Sequence, residues 1–136
     1  MVQIKDFSTL LEATRQQPET FQMLFVFAKS ALPPEHTEEE AERFKSGCGG
    51  ELTPMMCVDK TPGELTDFKA LALEAEKVFL DWQMVFCGAL PGGIGAPPSK
   101  EAIDDALKNM VQAIQFGGDM SGYVIFDKNG DPIRIV

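Results

Sequence analysis

Positive charge is scarce in this sequence: 12 Lys and Arg stand against 21 Asp and Glu, giving a formal net charge of -9. Such a chain repels the phosphate backbone of nucleic acid and the anionic surface of a bilayer, since binding either needs clustered Lys and Arg. Histidine is represented by His36 alone. Without HExxH spacing, Glu38, Glu39 and Glu40 after it read as a solvated helix face, and no metal site is expected. The three cysteines, Cys48, Cys57 and Cys87, are odd in number and widely spaced, which excludes a disulfide framework and a CxxC pair. No apolar run approaches the roughly 18 residues needed to span a bilayer, and no basic-then-apolar leader opens the chain. The expected location is therefore cytoplasmic, with no membrane partner and no nucleic acid. Internal repeats and low-complexity tracts are also missing.

What is present is ordinary for a globular chain. Hydrophobic residues make up 44% and charged residues 24% of 136 positions, which suits one self-sufficient domain over residues 1–136. Asp6 caps a helix carrying Phe7, Leu10, Leu11 and Thr14 at helical spacing, and Pro18 stops it. Phe21 to Lys29 is a near-continuous apolar run, as in a strand covered on both faces. After Pro33-Pro34, Thr37 and Glu40 open an acidic second helix ending at the Gly47–Gly50 cluster. Leu52 to Lys60 reads as a second buried strand with Met55, Met56, Cys57 and Val58 as its core and Pro54 near its start.

Thr61-Pro62-Gly63-Glu64 has the form of a capping box opening a third helix through Leu65, Phe68, Leu71, Ala72, Ala75, Val78 and Phe79. Trp82 to Leu90 is a third central strand, followed by a Gly- and Pro-rich loop from Pro91 to Pro98. Ser99 caps a fourth helix with Ile103, Leu107, Met110, Val111 and Ile114 on one face, ended by Gly117-Gly118. Asn129-Gly130 turns a terminal hairpin. Right-handed crossovers between the first three strands predict a three-layer-like α/β domain: a mixed five-stranded sheet, mostly parallel with a C-terminal antiparallel hairpin, flanked by four helices.

In an open parallel α/β sheet, ligands bind beyond the carboxyl ends of the strands, which singles out Lys29 to His36, Asp59 to Gly63 and Gly88 to Ser99. Gly92, Gly93, Gly95 and Ser99 lie where a phosphate-binding loop would present free amides to an anion. The loop lacks the Lys-Ser/Thr ending of a P-loop and a third spaced glycine, and Pro97-Pro98 removes two donors, so a flexible or partner-contacting loop is the first reading. Asp59 and Lys60 stand at a strand end as acid, base or phosphate contact, or as a salt-bridged loop pair. Cys57 and Cys87 fall within apolar strands as core thiols. Cys48, between glycines and near Lys45, is the candidate exposed, reactive thiol. Asp127 to Asp131 lacks the glycine position and distal Glu of a calcium loop and reads as a turn. Phe116, Met120 and Tyr123 around the Gly117-Gly118 break form a candidate apolar patch for self-association.

Gly50-Glu51-Leu52-Thr53-Pro54-Met55-Met56-Cys57-Val58-Asp59-Lys60, with MLFVF at Met23 to Phe27 and the terminal GYVIFDKNGDPIRI, resembles a family of short proteobacterial proteins, nearly end to end. Some members carry the name ribonucleotide reductase alpha subunit. That name implies a barrel of several hundred residues with a cysteine pair and a thiyl-forming cysteine, more than 136 residues and three cysteines can build. The resemblance therefore supplies no site residues.

The expected function is that of a non-catalytic module that binds a protein partner or itself, since no catalytic constellation is present. The alternative is a small-molecule- or anion-binding domain, or an enzyme, using Asp59, Lys60, Cys48 and the Gly88 to Ser99 loop. An accessory role in ribonucleotide reduction follows only from the family name. No cofactor is expected.

Overall fold

A computed structural model describes residues 6–31, 38–39, 51–118 and 122–133. In chain order it contains α1 (Phe7–Arg15), β1 (Glu19–Ala31), β2 (Glu51–Lys60), a 3-10 turn (Pro62–Glu64), α2 (Phe68–Glu76), β3 (Met84–Ile94), α3 (Lys100–Phe116), β4 (Val124–Asp127) and β5 (Pro132–Ile133). The expected second helix falls almost wholly outside the described residues; Glu38 and Glu39, which are helical and exposed, are all that is seen of it. Among the described residues three α-helices are complete.

The sheet order is β2-β1-β3-β4-β5, and every neighbouring pair is antiparallel. This corrects the expected mostly parallel sheet with four flanking helices. β2 and β3, joined through α2, run in the same direction but are not neighbours. The crossover argument failed on adjacency, because β1 inserts between them, antiparallel to both. A split crossover of this kind leaves no parallel neighbours, and nothing local in the sequence reports which strand lies beside which.

β1 is central, and its two alternating sets of side chains build two separate cores. Met23, Phe25 and Phe27 point to one face, where Phe7, Leu10 and Leu11 of α1 and Leu71, Ala72 and Ala75 of α2 cover them with Trp82, Val85, Cys87 and Phe126. Phe7 is the hub, with ring centroids 6.1 Å from Phe25, 5.5 Å from Phe68 and 6.0 Å from Phe126. Leu24, Val26 and Ala28 point to the other face, where Met110 and Ile114 of α3 meet Met84, Phe86 and Ile125. Among the described residues the first face carries two helices and the 3-10 turn, the second a single helix.

The helix caps follow the sequence with one correction. The Asp6 carboxylate accepts from the Thr9 amide at 2.9 Å, Ser99 Oγ accepts from the Ala102 amide at 3.1 Å, and Gly117 ends α3 with φ of 70°. The Thr61–Glu64 capping box forms, but it closes only the 3-10 turn. Leu65 is extended, and Asp67 caps α2 separately through the Ala70 amide. Pro62 and Gly63 supply a turn-starting residue and a poor helix former in succession, so the helix restarts at the next good cap.

Candidate functional site

Of the three loops singled out in the sequence, the structure brings two to one end of the sheet. β1 runs antiparallel to β2 and β3, so its first residues lie beside their last: Met23 is opposite Lys60 and Ala89, and Glu19 opposite Ile94. Lys29, which begins the third, is at the other end, and the rest of that loop beyond Ala31 lies outside the described residues. At that end Lys29 pairs with Asp81 at 2.9 Å and holds the Asp81 carboxyl below its ordinary range, while Lys128 donates to the Leu80 carbonyl at 2.6 Å.

The residues that share an end do not converge. Asp59 and Lys60 are consecutive on a strand and project from opposite faces. Asp59 accepts from Gln22 Nε2 at 2.8 Å on the α3 face, and Lys60 pairs with Glu74 of α2 at 3.1 Å on the other. The sheet stands between them, which separates the acid from the base.

The glycine loop closes on itself. Gly93 N donates to Ala96 O at 2.8 Å and Ala96 N to Gly93 O at 3.2 Å, around Gly95 with φ of 73°. β3 also extends further than the sequence suggested, through Pro91 to Ile94. Gly92 lies so close to the returning chain that an added Cβ would sit 2.3 Å from the Ala96 carbonyl oxygen. Ser99 uses its hydroxyl as the α3 cap. Gly92, Gly93, Gly95 and Ser99 thus form a tight strand-to-helix connection whose visible polar groups bond each other.

Cys48 and His36 lie outside the described residues. Cys87 is buried, and burial drives its thiol far above the ordinary range. Cys57, expected in the core, is exposed. Among the described residues β2 is the edge strand, with only one of its flanks paired. The signals were present in Thr53, Pro54, Asp59 and Lys60, since proline and charge mark strands that border solvent. Partial burial still raises the Cys57 thiol, which leaves it a weak nucleophile. Among the described residues, no group of three or more His, Cys, Asp or Glu is placed to hold a metal ion, and no helix is long and apolar enough to cross a membrane.

The feature that sequence reasoning missed is a groove of about 530 Å³ between α3 and the outer flank of β2. Cys57 forms its floor, Leu107, Val111 and Phe116 its apolar wall, and Asp104, Lys108, Gln112 and Gln115 its polar rim. It forms where α3 lies over β1 and β2. Phe116, flagged as part of an apolar patch, is 80% exposed beside it. Tyr123 packs instead on Gly88, where an added Cβ would lie 3.3 Å from its ring, beside a smaller cavity of about 200 Å³. Met120 lies outside the described residues. The apolar stripe of α3 gave the groove's wall, but not the position of β2 beneath it.

Compared with protein-family models, curated proteins and solved structures, the chain matches none.

Proposed function

We propose that this chain is a non-catalytic protein-interaction module that takes up an extended segment of a protein along the outer flank of β2. The observation that carries this reading is the juxtaposition of a strand that, among the described residues, is paired on one side only with the groove that opens directly above it. Strand addition supplies affinity through main-chain hydrogen bonds and specificity through alternate side chains entering pockets. Side chains of an added strand on the α3 side would enter the groove against Leu107 and Val111. Pro54 and the irregularity opposite Phe27 and Ala28 interrupt the first half of β2, so the regular docking length is Met56 to Lys60.

The small-molecule reading has less support. Asp59 and Lys60 face apart, Gly93 and Ala96 of the glycine loop bond each other, and the polar groups of the groove are strung along an open rim rather than gathered at one point.

A displayed library of extended peptides, selected on the wild-type protein and counter-selected on a Phe116→Glu variant, tests the reading. The expected result is binders that need Phe116 and that slow hydrogen exchange of β2 amides. Binders protecting only the Gly92 to Ser99 end, or stabilisation by metabolites with β2 unaffected, would overturn it.

A further inference from the structure

We infer that the segment docked on β2 is β2 of a second copy of this chain, paired antiparallel about Val58 to give a continuous ten-stranded sheet. This inference rests on the strand-addition reading above and names its partner. Three observations carry it.

The first is register. Met56 to Lys60 is the part of β2 in regular register with β1, with Met56 opposite Phe27 and Lys60 opposite Met23. Laid antiparallel on itself, that stretch pairs over its whole length only when Val58 meets Val58 of the second copy. Met56 then opposes Lys60, and Cys57 opposes Asp59. Each pair lies on the same sheet face, as the two-residue alternation of strands requires.

The second is closure. A two-fold axis through this pairing is perpendicular to the sheet, so both α3 helices lie on the same face, one on each side of the axis. Strands are spaced by about 4.8 Å, which puts β2 about 2.4 Å and β1 about 7 Å from the axis. α3 lies over β1 and β2, so the two copies of α3 run antiparallel about 10 Å apart, a normal packing distance for helices. The groove is thereby one half of a helix–helix interface. One isologous contact covers the free strand flank, the exposed thiol and the apolar wall together.

The third is charge. Asp104 and Lys108 stand one turn apart on the groove rim. With Gln112 and Gln115 completing it, the rim carries one acid and one base and no net charge, so it adds no net repulsion between the two copies. The net charge of -9 on each copy opposes association at long range, so added salt strengthens the dimer.

The test is sedimentation equilibrium of the whole chain with hydrogen exchange followed at low and high protein concentration. The expected result is a dimer, tighter at higher salt, whose β2 amides are protected as it forms. Cys57→Lys and Phe116→Glu replace exposed residues, so both variants should fold and should weaken the dimer by about tenfold or more, as uncompensated charges placed in an interface do. With Cys48 and Cys57 replaced by serine, Val58→Cys should form a symmetric intermolecular disulfide on mild oxidation, since opposed strand residues have Cα atoms about 4.5–5.5 Å apart. A chain that stays monomeric while a displayed peptide protects β2 would overturn self-pairing and leave the interaction module standing. A dimer whose β2 amides exchange as in the monomer would overturn both.

Discussion

The two faces of the sheet are built from the same central strand and come out very differently. On the face of Phe25 and Phe27, α1, the 3-10 turn and α2 close a core around Phe7, and Arg15 ties the layer together by donating to the Pro62 carbonyl at 3.1 Å and the Leu65 carbonyl at 3.3 Å. On the face of Val26 and Phe86, α3 is the one helix among the described residues and borders two cavities, one above β2 and one beside Tyr123. Among the described residues one helix does not cover five strands, so the closed core lies on one face and the cavities on the other.

The sharpest way to break this comparison is through the two thiols, one on each face. Cys57 should be modified by a thiol reagent in the folded monomer, slowly at neutral pH because its thiol is raised, while Cys87 should stay unmodified until the chain unfolds. Mass spectrometry with site assignment reads both; native modification of Cys87 would show that the two-helix face is not closed.

Next in size is the aromatic hub. Phe7→Ala should cost about 3–5 kcal/mol in denaturant unfolding, as truncation of a buried aromatic does. Phe116→Ala on the open face should change the stability of the monomer by no more than about 0.5 kcal/mol. Comparable losses would mean that Phe116 is packed.

A smaller effect is expected at Gly92, where an added methyl meets backbone that cannot step aside. Gly92→Ala should cost about 1–3 kcal/mol, as forced overpacking does, whereas Gly93→Ala, with Ala96 Cβ 3.9 Å away, should cost less.

The smallest effect belongs to Glu64. Its carboxylate accepts from the Thr61 amide and hydroxyl, each at 3.0 Å, and the amide bond chiefly holds it below its ordinary range. A carboxyl lowered by folding stabilises above its unfolded value and loses that contribution as pH falls through the folded one. Thermal melts of wild type and Glu64→Gln should therefore differ slightly at neutral pH and converge in acid, with the difference kept small by the full exposure of the group.

Much of the local structure was legible because its signals span only a few residues. The caps at Asp6 and Ser99, the glycine stop at Gly117 and the turn at Gly130 each depend on side chains within one helical turn or one hairpin of the backbone they satisfy. The apolar run of β1 announced a strand covered on both sides, and it is. The 3-10 turn at Pro62 shows the limit: a correct capping box opened a different helix from the one expected. The candidate site was less legible. Asp59 and the glycine loop were placed at one end of the sheet, but that Asp59 and Lys60 face apart follows only once β2 is known to be flanked by α2 on one side and α3 on the other.

The sequence by itself determined where most of the described strands and helices form, that β1 is covered on both faces and that Asp6 and Ser99 cap their helices, because those signals are carried by a few neighbouring residues. Only the tertiary structure decided that β1 separates β2 from β3, that all neighbours are antiparallel and that Cys57 faces a groove. Those outcomes depend on how α2 and α3 divide the two faces of the sheet, an energy spread over many distant contacts and written in no single stretch of chain.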